Sequence, residues 1–291
     1  MILINGEKFN DAEFHNGEVI FKTTSNLKND RNTIEMIFKD NRDITAVLFA
    51  RQWLEDACPE VPCDLVMKYC PYERMDRGIG DQLFSMRYFA AILRRFNFEN
   101  IYILDPHSNV CVEALENFNT AVHVLDLEAY IRKVIEDFKP DYICYPDKGA
   151  RQKYTQVLKN IAIPVFYGNK VRDLKNNGKI TSYELVDAPD LKNKKILIID
   201  DICCLGGTAY EAASLMKKAG AKEVAFYISH CEDGIFAGKI LEKNKIIFNG
   251  KETSFTGEGY VIDKVYTADT MGLSKTHENI KVVTVEESEN A

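Results

Sequence analysis

Two aspartates and a pair of glycines lie within one short stretch of the sequence, between Lys194 and Gly220. The stretch reads KKILIIDDICCLGGTAYEAASLMKKAG, in which an apolar run is followed by the carboxylates, a turn and a helical pattern. Gly206 and Gly207 let the backbone turn closely, so that N–H groups at the start of the helix can bind a phosphate. Phosphate would repel Asp200 and Asp201, which are therefore expected to bind ribose hydroxyls or Mg²⁺. The stretch predicts a site for a phosphorylated sugar; a strand–turn–helix with acidic capping residues is the alternative.

The composition is that of a globular protein. The 291 residues are enough for two domains, 46% of them are apolar and 28% are charged. A net charge of −7 argues against a nonspecific nucleic-acid binder. The N-terminus has no signal-peptide pattern, and no apolar run reaches the eighteen or so residues of a membrane span. We therefore expect a cytoplasmic protein with no nucleic-acid and no membrane partner, and its eight cysteines, which form no CxxC pair, are expected to be reduced thiols rather than disulfides or zinc ligands.

Short β-branched runs alternate with amphipathic segments along the chain. The predicted strands are 44–50, 64–70, 100–105, 121–126, 141–146, 163–168, 194–200 and 223–229, and the predicted helices are 31–40, 82–96, 127–138, 148–160 and 207–219. Such alternation is typical of parallel sheets with helices on both faces, which is the α/β class. The segment DFKPDY at 137–142 suggests a boundary between two domains, 1–138 and 139–291.

The segment ILIIDDICCLGGTA resembles the ribose-phosphate loop shared by type I phosphoribosyltransferases and phosphoribosyl pyrophosphate (PRPP) synthetases. Further segments resemble the synthetases in collinear order, from about residue 10 to residue 275: EFHNGEV (13–19), KYCPYERMDRGIGDQLFSMRYFAAIL (68–93), ILDPHS (103–108), YPDKGARQKY (145–154), NKVRD (169–173) and VYTADTM (265–271). Simple type I transferases lack the whole N-terminal half. The resemblance therefore favours the synthetases, also called ribose-phosphate pyrophosphokinases.

This resemblance implies a fold and a reaction. The fold would comprise two type I phosphoribosyltransferase-like domains, each a mainly parallel sheet flanked by helices. The reaction would transfer the β,γ-diphosphate of ATP to the C1 hydroxyl of a ribose and release AMP, with Mg²⁺ as cofactor and ATP as co-substrate. The chain would form a homo-oligomer, a dimer or a hexamer, in which the adenine-binding hairpin of one subunit completes the ATP site of a neighbour.

Lys170 and Arg172 match the catalytic Lys-x-Arg of the synthetases. They lie in the polar segment GNKVRDLKNNGK, whose Asn-Asn-Gly turn is typical of a flexible flap. The resemblance implies that the flap closes two cations over the transferring phosphates and stabilises negative charge in the transition state. On composition alone, a solvated basic loop fits the segment equally well.

The remaining implied site residues bind nucleotide, metal or sugar phosphate. Those implied for ATP are Phe14, Asn16, Glu18, Arg74, Asp76 and His107; those for Mg²⁺ are His107 and Asp147; those for the ribose phosphate are Asp200, Asp201, Cys204, Leu205, Gly206, Gly207 and Thr208. Phe14 would stack on adenine, Arg74 would bind phosphate oxygens with its forked guanidinium, and Asp147 is a hard anionic ligand of the kind Mg²⁺ prefers. An ordinary turn, a surface ion pair, a surface histidine and a helix cap are the respective alternatives for Phe14, Arg74, His107 and Asp147.

The chain departs from the family pattern at four positions. Met75 replaces a glutamine and Ala150 replaces a glycine, whereas Cys204 and Leu205 replace the polar residues that commonly line the 5-phosphate pocket. A dianionic phosphate needs hydroxyl donors, and leucine has none. The acceptor is therefore expected to be ribose 5-phosphate or ADP-ribose, the latter in NAD salvage. A type I phosphoribosyltransferase and a catalytically inactive regulatory homologue remain the alternative functions.

Overall fold

The computed structural model describes residues 1–22, 26–116, 119–173, 179–243, 245–248, 251–254 and 259–285. The chain divides into two compact units. The first comprises Met1–Asp126 with Thr270–Gly272, and the second comprises Leu127–Asp269 with Leu273–Ala291. Within the described ranges, no helix is both long and apolar enough to cross a bilayer.

The first unit contains a mainly parallel sheet and a separate hairpin. Its strands are β1 (Ile2–Ile4), β2 (Glu7–Lys8), β3 (Asn10–Glu13), β4 (Val19–Phe21), β5 (Asn32–Met36), β6 (Cys63–Val66), β7 (Asn100–Ile103) and β8 (Ala121–Val124). Its helices are α1 (Asn41–Ala57), α2 (Ser85–Leu93) and α3 (Asn109–Leu115). The sheet order is β2-β1-β5-β6-β7-β8, with β5 to β8 parallel, while β3 and β4 form a separate two-stranded sheet.

Two predicted elements of the first unit have the opposite secondary structure. The helix predicted at 31–40 is largely strand β5, in which buried and half-buried residues alternate as in a strand. The strand predicted at 44–50 lies inside helix α1 instead. The Asp40 side chain accepts a hydrogen bond from the Arg42 N–H and forms a capping box with Asp43, which fixes the start of α1.

Helix α2 begins later than the sequence predicts. The sequence predicts this helix at 82–96, but it starts at Ser85 after Phe84, and a short 3₁₀ turn continues it over Arg94–Phe96. The reason is local, because the Gln82 N–H donates to the Ile79 carbonyl at 3.0 Å and closes a turn before the helix.

The second unit contains a larger sheet of the same kind. Its strands are β9 (Tyr142–Tyr145), β10 (Val165–Asp173), β11 (Lys179–Val186), β12 (Lys195–Cys203), β13 (Glu223–Cys231), β14 (Lys245–Phe248), β15 (Lys251–Ser254), β16 (Lys264–Ala268) and β17 (Ile280–Val283). Its helices are α4 (Leu127–Phe138), α5 (Lys148–Val157) and α6 (Gly207–Lys218). The sheet order is β11-β10-β9-β12-β13-β16-β17, in which only β11 runs antiparallel to its neighbour, and β14 pairs with β15.

Helix α4 forms over the residues predicted for it and belongs to the second unit. The division between the units therefore falls at Asp126/Leu127, whereas the predicted domain boundary at 138/139 lies at the end of this helix. The buried face of α4 includes Ile131, Val134 and Phe138, and the helix packs near β13 and β17. Burying this apolar face is what assigns the helix to the second sheet.

Asp137 links α4 to the far edge of the second sheet. Its carboxylate accepts a hydrogen bond from the Tyr266 hydroxyl at 2.6 Å and lies 3.2 Å from the ammonium groups of both Lys264 and Lys281. The Tyr266 hydrogen bond, followed by those of the two lysines, holds the pKa of the Asp137 carboxyl well below its usual range.

Replacing Asp137 by asparagine is expected to lower the free energy of unfolding by about 1 kcal/mol at neutral pH, a modest value because solvent screens the exposed lysines. A depressed carboxyl pKa contributes stability that is fully present above the unfolded-state pKa of about 3.9 and is lost as the pH falls toward the folded-state pKa. Urea unfolding at about pH 7 and about pH 3 should therefore show a smaller difference between wild type and variant at the lower pH. An equal difference at both pH values would contradict this assignment.

Candidate active site

The two aspartates of the sugar-phosphate stretch lie within strand β12, not after it. The ladder between β12 and β13 continues past them as far as Cys203 opposite Cys231. Successive residues of a strand point to opposite faces of the sheet, so Asp200 and Asp201 are directed to different sides. Asp201 is only 8% exposed, and its carboxylate lies 3.6 Å from the Lys153 ammonium, whereas Asp200 is half-buried. The two carboxylates therefore have different surroundings: Asp201 is buried and paired with Lys153, and Asp200 is half-buried on the other face.

The predicted phosphate loop has the backbone that an anion site requires. Gly206 adopts a left-handed conformation with φ of 71° and is the N-cap of α6, and among the described residues no side chain caps this helix. The first N–H groups of α6 are therefore not satisfied by a capping side chain. Gly207 begins the helix, and a Cβ added there would meet open space. An uncapped helix N-terminus beside an open surface favours a bound anion.

Cys204 and Leu205 form the rim of this loop. Both are exposed, and Leu205 exposes 55% of its surface. Two glycines of the segment that follows β13 pack against the backbone of Cys204 and Leu205. A Cβ added at Gly234 would lie 2.9 Å from the Cys204 carbonyl oxygen, and one added at Gly238 would overlap the Leu205 carbonyl. The loop backbone is thus fixed by close packing, while its two replaced side chains face outwards.

Asp147 follows β9 at the same edge of the sheet. Its side chain accepts the Ala150 N–H at 3.0 Å, so it is the N-cap of α5, as the alternative interpretation of this residue supposed. The strand before Asp147, β9, pairs with β12, which carries Asp200. Burial, and then neighbouring charges that include Asp147 and Asp200, raise the pKa of the Tyr183 hydroxyl. The structure therefore brings two predicted site carboxylates to the surroundings of one buried tyrosine.

Lys170 and Arg172 lie on strand β10, in the hairpin that β10 forms with β11. In the ladder, Lys170 is opposite Tyr183 and Arg172 is opposite Ile180, with an irregular register between Val171 and Arg172. The side chains of residues 170–182 and the whole of 174–178, which include the Asn-Asn-Gly turn, lie outside the described part of the chain. The catalytic roles of Lys170 and Arg172 stay predictions.

In the first unit, Asp76 holds the loop that follows β7. Its buried carboxylate accepts hydrogen bonds from the Ser108 hydroxyl at 2.7 Å and from Arg77 Nε at 2.8 Å. The Arg77 hydrogen bond, and then the one from Ser108, lowers the pKa of this carboxyl. Asp76 therefore joins two of the segments predicted to bind ATP, 68–93 and 103–108.

The same loop presents His107 at the surface. Asp105, at the end of β7, has φ of 47°, which turns the chain away from the strand, and the His107 N–H donates to the Glu73 carboxylate at 3.3 Å. His107 and Arg74 are both exposed, whereas Glu73 is fully buried. The backbone of this region thus places a histidine and an arginine where a ligand can reach them.

The hairpin β3–β4 keeps Phe14 exposed. The Phe14 N–H donates to the Glu18 carbonyl at 2.8 Å, and the Asn16 side-chain amide donates to the Glu18 carboxylate at 2.8 Å. Phe14 exposes 57% of its surface at the tip, while Phe21 stacks on Phe9 at 5.2 Å between ring centroids and anchors the base. Asn16 and Glu18 contact each other here, and their contacts with adenine stay predictions.

Two residues near the site were not among the predicted ones. Lys153 lies in the segment 145–154 that resembles the synthetases, yet only the pairing of β9 with β12 shows that it neutralises Asp201. Tyr183 follows a polar segment and resembles an ordinary strand residue in sequence. The signal that would have suggested Lys153 is a basic residue in the helix that begins directly after Asp147.

One protein family and several curated proteins are similar to this chain. The family described as phosphoribosyl transferase domain matches residues 119–256. The chain is 30% identical over 169 residues to a ribose-phosphate pyrophosphokinase of Saccharolobus solfataricus, covering 57% of this chain and 56% of the relative. It is 26% identical over 254 residues to one of Cereibacter sphaeroides, covering 81% of this chain and 68% of that one. The first three curated relatives are covered over only 56%, 60% and 61% of their length.

A solved structure extends the comparison to the fold. The crystal structure of phosphoribosylpyrophosphate synthetase from Mycobacterium smegmatis matches with a TM-score of 0.68 at 18% identity, over 96% of this chain and 86% of that one. The predicted fold class, two α/β domains with mainly parallel sheets, is confirmed. The names of the curated relatives support the resemblance to the ribose-phosphate pyrophosphokinases, which are diphosphotransferases.

Proposed function

We propose that the protein is an ATP-dependent pyrophosphokinase that transfers the β,γ-diphosphate of ATP to the C1 hydroxyl of a 5-phosphorylated ribose and releases AMP. The observation that carries the proposal is the carboxyl edge of the second sheet, where Asp147 follows β9 and the paired strand β12 carries Asp200 and leads to the uncapped N-terminus of α6. Carboxylates can accept hydrogen bonds from ribose hydroxyls, and the helix N-terminus can bind the 5-phosphate. The curated relatives named ribose-phosphate pyrophosphokinase support the same reaction.

Each part of the site has a role in this reaction. Phosphoryl transfer leaves the protein little covalent work, so it acts by positioning groups and stabilising charge. Lys170 and Arg172 supply positive charge to the transferring phosphates. Lys153 neutralises the buried Asp201, so that a second uncompensated carboxylate does not repel the incoming phosphates. The backbone of Gly206 and Gly207 holds the sugar phosphate in register with the attacking hydroxyl.

The donor set fits Mg²⁺ bound together with substrate phosphates. Within the described residues, no group of three or more His, Cys, Asp or Glu side chains is arranged as a complete metal cage. Asp147 uses one oxygen as a helix cap and has a second oxygen, which is a hard donor of the type that Mg²⁺ takes. Mg²⁺ bound there would neutralise phosphate charge, and His107 would contact the nucleotide end. The proposal also includes a homo-oligomer. Phe14 is exposed on the separate hairpin β3–β4, so it could contact the adenine of a neighbouring subunit.

The acceptor is proposed to be ribose 5-phosphate or ADP-ribose. Leu205 and Cys204 occupy the rim of the phosphate loop and offer no hydroxyl to a phosphate dianion. ADP-ribose has the same C1 hydroxyl, but its 5-phosphate is joined to AMP by an anhydride bond and so carries a lower charge that needs fewer donors. Its adenosine would extend past the exposed Leu205, where apolar contact is available.

A type I phosphoribosyltransferase is the second candidate function. The specific observation in its favour is the phosphoribosyl transferase domain match, which covers residues 119–256 and leaves the first unit almost untouched. Such an enzyme would consume PRPP and a nucleobase without ATP, so the two functions differ in the nucleotide they use.

The proposal is tested by AMP release from ATP and Mg²⁺ with ribose 5-phosphate, with ADP-ribose and with no acceptor. We expect AMP with at least one acceptor and none in its absence. PRPP consumption with a nucleobase and without ATP would support the transferase. A folded protein that releases no AMP with either acceptor would support the inactive homologue.

Removing divalent metal is expected to abolish AMP release, because a divalent cation bound to the phosphate oxygens neutralises the negative charge of ATP during transfer. Activity measured after EDTA treatment should return when Mg²⁺ is added and should not need Zn²⁺. Full activity in EDTA, or a zinc ion that survives purification and supports turnover without Mg²⁺, would contradict the metal assignment.

A further inference from the structure

A buried tyrosine fastens the base of the β10–β11 hairpin to the Asp147 loop. The Tyr183 hydroxyl on β11 donates to the Pro146 carbonyl at 2.7 Å, and Tyr183 is only 4% exposed. Pro146 is buried as well and immediately precedes Asp147, the N-cap of α5. Burial and then neighbouring groups raise the pKa of the phenol, which keeps it a hydrogen-bond donor at any physiological pH.

The strand opposite Tyr183 is shaped to admit this contact. Gly168 on β10 is buried, and a Cβ added to it would overlap the Tyr183 hydroxyl and would lie 2.7 Å from the Pro146 carbonyl oxygen. Any larger residue at this position would therefore displace the tyrosine from its acceptor. The conformation of Gly168 is ordinary, so the glycine is needed for space and not for backbone freedom.

Two further contacts hold the same end of the hairpin. The Arg151 guanidinium on α5 lies 3.9 Å from the centroid of the Tyr167 ring, and the Asn169 side-chain amide donates to the Glu184 carboxylate at 2.8 Å. Of these three contacts, that of Tyr183 is buried, and it reaches Pro146 in the loop of Asp147.

We propose that Tyr183 is a positioning residue for the diphosphate transfer, and that its hydroxyl fixes the strand carrying Lys170 and Arg172 relative to the Asp147 loop. The inference rests on the proposed function for its catalytic consequence. Lys170 is directly opposite Tyr183 in the ladder, and Arg172 follows the irregularity two residues further along β10. Loss of the Tyr183 hydroxyl would leave the buried Pro146 carbonyl without this donor and would loosen the hairpin base.

Tyr183→Phe removes the hydroxyl and keeps the ring. We expect kcat to fall about 10- to 100-fold, because a displacement of about 1 Å at a catalytic group costs this much. The KM for ATP should change by less than about threefold, since the affected charges act in the transition state. Hydrogen exchange of the hairpin amides in 165–169 and 183–186 should become faster.

Tyr266→Phe is the matched control. Tyr266 is fully buried in the same sheet, and its hydroxyl donates to Asp137 at 2.6 Å, away from the site. This variant should lose stability but keep the wild-type kcat and the wild-type hairpin exchange.

An unchanged kcat in Tyr183→Phe, or an equal loss of kcat in the two variants, would overturn the positioning role. Gly168→Ala provides a second route to the same contact, and it should reproduce the loss of kcat and the faster hairpin exchange. If the wild-type protein releases no AMP, the proposed function is refuted, and kcat cannot be compared between the variants. The exchange data would then test only whether the Tyr183 hydroxyl holds the hairpin base. Unchanged hairpin exchange in Tyr183→Phe would overturn that role.

Discussion

Replacing Lys170 or Arg172 by alanine is expected to lower turnover by about 10²–10³-fold, the usual effect of losing one charge stabiliser of a transition state. Both residues lie on β10, in the hairpin whose base Tyr183 fastens beside Asp147. In the proposed reaction their charges act mainly on the phosphates during transfer, so we expect ATP affinity to change much less than kcat. Steady-state kinetics of AMP release, together with ATP binding by titration calorimetry, measures the two quantities separately.

Lys159→Ala is the control for nonspecific loss of charge. Lys159 is exposed on the turn after α5 in the same unit, and its removal should leave turnover unchanged. Near-normal turnover in both Lys170→Ala and Arg172→Ala would show that the hairpin does not carry the catalytic cations. A loss of ATP affinity as large as the loss of kcat would show that they bind the ground state instead.

Restoring hydroxyl donors to the phosphate loop should change the choice of acceptor. In Cys204→Ser with Leu205→Thr, a charge-assisted hydrogen bond to a phosphate dianion is expected to contribute about 1.5–3 kcal/mol. This corresponds to about 10- to 150-fold in kcat/KM for ribose 5-phosphate relative to ADP-ribose. Because both side chains are exposed and the loop backbone is held by Gly234 and Gly238, the substitutions should not disturb the fold.

The ratio of kcat/KM values for the two acceptors measures this effect, with Cys58→Ser as a thiol-to-hydroxyl control in the first unit. An unchanged ratio in the double variant, with a wild type that prefers ribose 5-phosphate, would mean that the replacements are neutral. The backbone N–H groups at the start of α6 would then carry the phosphate alone.

The helices and the central strands of the second unit could be predicted because their signals are local. Helix α4 has the predicted bounds, and α6 begins at Gly207 as the glycine pair indicated. Strands β9, β12 and β13 are runs of apolar residues that are buried on both faces, which is how central strands of a parallel sheet appear in a sequence. Here the local preference and the final environment agree.

The beginning of the first unit could not be predicted from such signals. ITAVLFA has the β-branched and aromatic content of a strand, yet it lies in α1, whose capping box and buried stripe of Ala46, Val47, Ala50 and Leu54 decide the outcome. The preceding residues, 31–40, have apolar side chains at positions that fit both the helical and the strand repeat. They become a strand because β5 pairs with β1 on one side and β6 on the other.

The finer parts of the site depend on contacts between distant residues. Tyr183 reaches Pro146 across 37 positions of sequence, and Lys153 meets Asp201 only because α5 and β12 are neighbours in the fold. The sequence shows Asp200 and Asp201 as a pair of neighbours. They point to opposite faces of the sheet because β12 extends past both of them. Residue types thus indicate a candidate site, whereas the pairing and packing of the sheet determine which partner each side chain has.

Transfer of label from ATP to the acceptor tests the central claim most directly. With ATP carrying ³²P in the γ-phosphate, Mg²⁺ and a ribose acceptor, we expect the label to enter the phosphorylated sugar together with one equivalent of AMP and no ADP. Lys170→Ala and Arg172→Ala should reduce this transfer in parallel with AMP release. Label recovered as inorganic phosphate with ADP, or label that stays in ATP with both acceptors, would contradict a pyrophosphokinase.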